Sequence, residues 1–208
     1  MKIKWWGHAC FEIKGEENIV IDPHDGNSVG LEKPNVEASI VLVTHDHYDH
    51  NATDIVSGNP IKISELGYTS MRGVKINGVK TYHDKSKGER RGENIVYNID
   101  INGINFCHLG DLGHELDQKK IREIGKVDIL FVPVGGNFTI NAEEAKKVVE
   151  EINPSIAIPM HYKVPGLNIP IDRVEKFTEL VSNVSRVSNP YNVPKKLPQE
   201  TKIKVFNP

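Results

Sequence analysis

The first half of the chain contains short apolar runs, some alternating with polar residues and some unbroken. Alternation is typical of a half-buried strand, and an unbroken β-branched run is typical of a strand buried on both faces. Strands are predicted at residues 2–6, 9–13, 18–21, 39–43, 61–64, 79–83, 95–99 and 104–108. Asn102-Gly103 predicts a tight hairpin between the last two strands, because both residues tolerate a positive φ.

The hydrophobic period changes in the second half. Helical spacing predicts helices over residues 117–124 and 142–152, and a last helix from about residue 171 through Val181. Asn141 and Glu144 form a candidate capped start, and Pro154 ends that helix. Further buried strands are predicted at residues 128–132 and 155–159. This order predicts an α+β fold with sheets packed in the middle and helices outside.

Three buried strands run directly into loops rich in polar residues or glycine. Val43 leads into Thr44-His45-Asp46-His47, Val132 leads into Pro133-Val134-Gly135-Gly136, and Ile158 leads into Pro159-Met160-His161. Rigid strands that end at one edge of a sheet hold several loops together there, and active sites are commonly assembled at such places.

The segment after Val43 has the composition of a metal site. If His45 and His47 continue the strand, their side chains share a face and can hold one ion. Asp49 and His50 follow where the chain must turn, into a short helix through residue 53, and would serve a second ion. Metal ions of this type take about four to six ligands, so other strand ends must contribute. The candidates are His83, Asp111 and His161.

Composition narrows the class of protein. Hydrophobic residues make up 38 % of the chain, charged residues 26 %, and the net charge is −2, so a nucleic-acid partner is not expected. No apolar run approaches the ~20 residues of a membrane span, and no signal peptide is evident, which makes a cytoplasmic location the expectation. Cys10 and Cys107 have strand-like apolar neighbours and are interpreted as core residues rather than a disulfide. One domain is predicted over residues 1–208.

The histidine-rich segment resembles a known signature. Residues 44–50, Thr-His-Asp-His-Tyr-Asp-His, resemble the HxHxDH motif of the metallo-β-lactamase superfamily. Asp22-Pro23, Gly110-Asp111 and Met160-His161-Tyr162 extend the resemblance along the chain. Trp5-Trp6-Gly7-His8 is similar to the Trp-x-Gly-His start of small prokaryotic metal-dependent hydrolases of the ascorbate-6-phosphate-lactonase-like group. The resemblance implies a four-layer αββα sandwich.

The resemblance also implies roles for individual residues. His45, His47 and His83 would hold one divalent ion, with His108 as the competitor of His83 for that position. Asp49, His50 and His161 would hold a second ion, Asp111 would bridge both, and Asp22 would orient the metal loops through hydrogen bonds. Zinc is the first expectation for both ions, and manganese, nickel or iron also suits this donor set.

The implied activity is hydrolysis of a small ester, lactone or phosphodiester by a hydroxide that two metal ions activate. Asp111 and Asp49 would act beside that hydroxide, and His8 is either a catalytic helper or a hydrogen-bonded structural histidine. Two alternatives use the same residues: a di-iron oxidoreductase or dioxygenase, and a non-catalytic metal-binding module. The partner is expected to be a small-molecule substrate, with no membrane. A homo-oligomer is a further possibility, because adjacent strand residues face opposite sides and one of Trp5 and Trp6 is then available for an interface.

Two further segments bear on the substrate. Residues 85–92 follow His83 and are rich in cations and glycine, which fits a solvated hairpin loop or a loop that holds a phosphate or carboxylate. Residues 135–139 fit a tight turn or an anion contact through backbone N–H groups. His24 and Asp25 are interpreted as surface residues in preference to the mouth of a pocket, and His114 as a surface residue.

Overall fold

The computed structural model describes residues 1–207, and most of its regular structure is β-strand. The strands are β1 (Lys2–Trp5), β2 (Phe11–Lys14), β3 (Ile19–Ile21), β4 (Ile40–Leu42), β5 (Ile61–Ile63), β6 (Gly67–Met71), β7 (Val74–Tyr82), β8 (Glu93–Ile101), β9 (Ile104–His108), β10 (Ile129–Pro133), β11 (Ile156–Met160), β12 (Val184–Val187), β13 (Tyr191–Asn192) and β14 (Lys202–Phe206). The helices are α1 (Gln118–Ile124), α2 (Ala142–Ile152) and α3 (Glu175–Thr178), with 3-10 turns at Asn27–Val29 and Thr53–Ile55.

The strands form two mixed sheets. The first has six strands in the order β13-β1-β2-β3-β4-β5, and the second has eight in the order β12-β14-β11-β10-β9-β8-β7-β6. In the second sheet β6 to β9 are antiparallel neighbours, and β9, β10, β11 and β14 are parallel neighbours. Asn102 and Gly103, with φ of 53° and 83°, form the predicted hairpin between β8 and β9.

Alternation along the strands of the first sheet separates its two faces. Ile19 and Ile21 point into the main core between the sheets. Val20 and Val41 point the other way, into a smaller cluster that includes Cys10 and Val56. Loops and 3-10 turns form the outer layer on this side, whereas α1 and α2 pack on the outer face of the second sheet. The fold is the α+β sandwich that the sequence predicts.

The capped start predicted for the second helix is present. The Asn141 side chain accepts from the Glu144 N–H and the Glu144 side chain accepts from the Asn141 N–H, so α2 starts with a complete capping box. Cys10 and Cys107 are both buried and free, in agreement with their interpretation as core residues. No helix within residues 1–207 is long and apolar enough to cross a membrane.

The C-terminal part departs from the prediction. The predicted last helix is wrong in its bounds, since α3 covers only Glu175–Thr178. Asn183, with φ of 59°, turns the chain into β12, which pairs with β14. This long-range pairing overrides the helical spacing of the preceding residues, so the helix ends early. Strands β6, β12, β13 and β14 were not predicted, although Ile203 and Val205 alternate with lysines in β14. The single domain over residues 1–208 stays a prediction.

Candidate metal centre

The topology brings the ends of six strands together around the centre. In the first sheet β1, β3 and β4 run in one direction, and the loops after them carry His8, Asp22 and the segment 45–50. In the second sheet β7, β9 and β11 share a direction, and the residues after them include His83, Asp111 and His161. Each polar side chain therefore follows the C-terminal end of a strand.

The segment after β4 differs from the predicted local structure. The strand ends at Leu42 and the chain bends at Thr44 and His45, so His45 and His47 do not continue it. Their rings nevertheless meet edge to face with centroids 4.5 Å apart. A turn over residues 48–50 and a 3-10 turn at Thr53–Ile55 replace the predicted short helix.

The first group of side chains contains His45, His47 and His83. One ring nitrogen of each lies within 4.8 Å of the others. Thr44 Oγ1 lies 2.9 Å from His45 Nδ1 and donates its own proton to Asp22. The Thr44 hydroxyl then accepts from Nδ1–H, which leaves the lone pair of His45 Nε2 directed into the site.

The second group contains His50, His161 and His8, again with ligand atoms within 4.8 Å of one another. His8 Nε2 lies 3.1 Å from Asp49 Oδ2 and 3.2 Å from His50 Nε2. Two ligands of one zinc ion at the usual bond lengths of about 2.0 to 2.2 Å are roughly 3 Å apart, so these spacings suit a shared ion. The sequence places His8 near the metals as a helper and does not predict this position among the ligand atoms.

The backbone fixes His8 beside His161. His8 has φ of 52° and follows Gly7, with φ of 93°. The His8 carbonyl accepts from Trp5 Nε1 at 3.0 Å and from the backbone N–H of His161 at 3.1 Å. His161 also has a positive φ, 51°. Strained backbone of this kind is held by its surroundings and is concentrated at functional sites.

Asp111 touches both groups. Its Oδ2 lies 3.1 Å from His83 Nε2 and 3.1 Å from His161 Nε2, and its Oδ1 lies 3.4 Å from His50 Nε2. The backbone N–H of Asp111 donates to Asn94 Oδ1 at 2.9 Å, which holds the backbone of this residue in place. The carboxylate thus lies between the two groups of side chains and contacts both.

Asp22 supports the centre from below. This fully buried carboxylate accepts from the Thr44 N–H at 2.8 Å, the Thr44 hydroxyl at 2.7 Å and His50 Nδ1 at 2.9 Å. The contact fixes the tautomer of His50, so that its Nε2 faces the second group. This is the orienting role that the family resemblance implies.

His108 lies outside the cluster. It is fully buried; its Nε2 donates to the Ala9 carbonyl at 2.9 Å and its Nδ1 accepts from the Gly110 N–H at 3.1 Å. Both ring nitrogens are engaged by backbone, whereas His83 lies against Asp111. The structure therefore brings His83, and not His108, into the candidate site.

Two other histidines are not the surface residues that the sequence predicts. His24 is fully buried; its Nε2 donates to the Trp6 carbonyl and its Nδ1 accepts from the Gly26 N–H, each at 3.1 Å. It braces the segment that leads to His8, while its neighbour Asp25 is exposed as expected. His114 is half-buried and its Nε2 accepts from the Tyr82 N–H at 3.2 Å.

Burial and charge set the protonation of the centre. Burial lowers the pKa of His8 and that of His45 to about 3, so both imidazoles are neutral, the form that binds metals. Burial alone would lower the pKa of His50, but the charges of Asp111 and Asp22 outweigh it and raise the pKa. Burial alone would raise the pKa of Asp111, but the neighbouring His161 and His50 lower it.

These residues fit divalent cations. His45 Nε2 and Asp111 Oδ1 are buried without a hydrogen-bond partner within residues 1–207. Buried polar atoms are rarely left unpaired, because the loss of hydration costs about 1–3 kcal/mol. Both atoms point into the cluster of imidazoles and carboxylates, and coordination to a cation would satisfy them.

The sandwich fold and this His/Asp cluster define a metal-dependent hydrolase of the metallo-β-lactamase class. The model of the β-lactamase superfamily domain family matches residues 2–161, and the chain belongs to this family. A "UPF0173 metal-dependent hydrolase" of Thermococcus onnurineus is 34% identical over 189 residues, which cover 78% of this chain and 84% of that protein.

Solved structures share the fold. A crystal structure from Thermotoga maritima, of a metallo-β-lactamase superfamily member, superposes with a TM-score of 0.84 at 41% identity and covers 99% of this chain and 97% of its own. Igni18, a metallo hydrolase from Ignicoccus hospitalis, superposes with a TM-score of 0.66 at 21% identity, covering 86% of this chain and 89% of its own, and so shows the fold alone.

Proposed function

We propose that this metal-dependent hydrolase uses two divalent ions to cleave a small ester, lactone or phosphodiester. The position of Asp111 carries the proposal, since one carboxylate contacts His83 of the first group and both His50 and His161 of the second. In this proposal His45, His47 and His83 hold one ion, and Asp49, His50 and His161 hold the other.

His8 is proposed as a further ligand of the second ion, in place of the helper role expected from the sequence. Its Nε2 lies about as close to Asp49 Oδ2 and to His50 Nε2 as two ligands of one ion lie to each other. Its ring is fully buried and neutral, so it brings a lone pair and no charge to the site.

Two ions held there would lower the pKa of a shared water toward neutrality and polarise the carbonyl or phosphoryl oxygen of the substrate. The protein orients the site: Asp22 fixes His50, Thr44 fixes His45, and the His8 carbonyl fixes His161. Among the proposed ligands, only His47 and Asp49 are partly exposed, which supports substrate entry over these two side chains. The other proposed ligands are buried.

The test compares wild type with Asp111→Ala and with Asp25→Asn, an exposed aspartate on the neighbouring loop, as the matched control. We expect about two ions per chain in wild type and in the control by elemental analysis, with fewer ions and loss of hydrolysis in Asp111→Ala. The substrates are a bis-aryl phosphodiester, an aryl ester and an aliphatic lactone.

The two-metal proposal is contradicted if zinc-reconstituted wild type contains one ion per chain or none and Asp111→Ala leaves hydrolysis unaffected. A coloured protein that contains iron and hydrolyses none of these substrates would favour the oxidoreductase alternative. Two ions without turnover of any substrate would favour a non-catalytic metal-binding module.

A further inference from the structure

A cleft of about 670 Å³ opens beside His83 of the metal centre. One wall is the loop after β7, which contributes Lys85, Arg90 and Arg91. The opposite wall is the loop after β10 and the start of α2, which contribute Phe138 and Glu144. Both walls were singled out in the sequence, and they face each other across the cleft.

The loop with the cations is built around Asp84. The buried Asp84 carboxylate accepts from four backbone N–H groups, those of Ser86 at 2.7 Å, Gly88 at 3.0 Å, Arg90 at 3.0 Å and Arg91 at 2.8 Å. Burial alone would raise the pKa of Asp84, but these donors lower it to about 2. The carboxylate is therefore engaged by the loop backbone, which fixes the loop and leaves both arginine side chains free of it.

The second carboxylate of the cleft is also engaged. Glu144 Oε1 lies 2.5 Å from Lys85 Nζ, and Glu144 Oε2 accepts from the Asn141 N–H at 3.0 Å in the capping box of α2. Lys85 and Glu144 thus neutralise each other, and neither adds net charge to the cleft.

Among the described residues, Arg90 and Arg91 are the two cations of the cleft without a carboxylate partner, and with the ionised Asp84 they leave the lining with a net positive charge. The Arg91 guanidinium carbon lies 4.4 Å over the ring of Phe138, and Nη2 donates to the Asn137 carbonyl at 3.4 Å, which positions the group while leaving its other N–H donors available. Arg90 is exposed. Neither arginine forms a salt bridge with any carboxylate of residues 1–207.

Arg91 also connects the cleft with the metals. It borders a second cavity of about 500 Å³, which is lined by His45 and His47 of the first group. The Arg91 side chain therefore lies between the cleft and the side of the metal centre that carries His45 and His47. Guanidinium groups recognise carboxylates and phosphates through paired N–H donors.

We propose that Arg90 and Arg91 bind an anionic group of the substrate, a carboxylate or a phosphate monoester, while its scissile bond lies at the metal centre. The substrate class is then a small anionic ester or lactone. This inference rests on the proposed hydrolase function, and it adds a recognition site that the metal ligands do not provide.

The first experiment measures hydrolysis of three p-nitrophenyl esters by the zinc-loaded enzyme. p-Nitrophenyl butyrate is neutral, and mono-p-nitrophenyl glutarate adds a carboxylate at the end of the acyl chain. The third ester carries a phosphate monoester at the end of the acyl chain instead. Wild type should prefer the anionic esters in kcat/KM, mainly through KM. In Arg91→Gln and in Arg90→Gln, the ratio of anionic to neutral kcat/KM should fall about tenfold. Lys87→Gln is the matched control, because Lys87 is exposed on the same loop but does not line the cleft.

The second experiment is independent of turnover. Calorimetry of the metal-free protein with succinate and with inorganic phosphate should show binding that weakens in Arg90→Gln and Arg91→Gln and persists in Lys87→Gln. The stronger of the two probes identifies the anionic group. Arg90 is exposed, so its variant keeps the test valid if loss of the Arg91–Phe138 contact impairs folding.

The outcomes separate the two proposals. If all esters are hydrolysed and the ratio of anionic to neutral kcat/KM is the same in wild type and in the arginine variants, the anion site is wrong and the proposed hydrolase function is retained. Absence of hydrolysis with arginine-dependent anion binding overturns the proposed function and leaves the anion site. Absence of anion binding to the metal-free wild type, without any preference for anionic esters, overturns the anion site.

Discussion

Asp22 lies behind the metal centre and is not among the proposed ligands, yet Asp22→Asn should weaken the binding of one of the two proposed ions. The carboxylate accepts from His50 Nδ1, which leaves His50 Nε2 to bind the second ion. An asparagine amide of the same shape has one acceptor and one donor atom. With its oxygen on the Thr44 N–H, its NH₂ faces Nδ1 and favours the tautomer that carries the proton on Nε2, which cannot ligate.

The expected magnitude follows from the three hydrogen bonds to Asp22. A hydrogen bond to a charged group contributes about 1.5–3 kcal/mol and a neutral one about 0.5–1.5 kcal/mol, so loss of the charge should cost about 3 kcal/mol of unfolding free energy. Loss of an orienting partner typically lowers metal affinity by about 10- to 100-fold.

The measurements are urea unfolding of the metal-free protein and zinc titration of wild type, Asp22→Asn and Asp25→Asn. The control removes a charge three residues further along, on an exposed side chain that bonds only Ser28. The first ion should bind Asp22→Asn as it binds wild type, and the second should bind more weakly. The reasoning is refuted if Asp22→Asn binds both ions with wild-type affinity, because His50 would then not depend on its tautomer.

Three further predictions concern Gly113, Asn141 and His50. In Gly113→Ala, the new Cβ would lie 2.2 Å from the carbonyl carbon of His83. We therefore expect the free energy of unfolding, measured in urea, to fall by about 1–3 kcal/mol and zinc binding to weaken. Gly103→Ala is the control, because the space around its Cβ is open, and it should leave zinc binding unchanged. Asn141→Ala removes the cap of α2 and should cost about 1 kcal/mol by urea unfolding, with unchanged metal content as the check that the effect is local. Because the pKa of His50 is raised, zinc binding near neutral pH should release about one proton per chain from this ring and strengthen as pH rises; calorimetry in buffers of different ionisation enthalpy measures the release, and a pH-independent affinity would contradict it.

Local patterns were sufficient for much of the sandwich and for the densest part of the site. The alternation in β1 and the unbroken run in β4 match the observed burial, and Asn102-Gly103 forms the turn that its residue types predict. The segment 45–50 was recognisable because its ligand-type side chains are neighbours in sequence. Such features need no knowledge of long-range pairing, which is why the sequence predicts them.

Features that depend on distant partners were not predicted correctly. Val181 has helical spacing from Val174 and Phe177, but the pairing of β12 with β14 starts too soon after it for the helix to continue. His24 follows a strand end and is predicted to be exposed, but its ring is buried and donates a hydrogen bond to the Trp6 carbonyl. Neither partner is identifiable from the local pattern.

The position of His8 follows from the order of the strands in the sheet and not from its local sequence. A Gly-His turn predicts a local bend, and it does not say which strand lies alongside. Once β1 is known to run parallel to β3 and β4 within one sheet, the loop after β1 must open at the same edge as Asp22 and the segment 45–50. The bond from the His161 N–H to the His8 carbonyl then joins this edge to the second sheet. Each proposed ion would thus be held by side chains from both sheets, so the geometry of the centre depends on the packing between the sheets as much as on any motif.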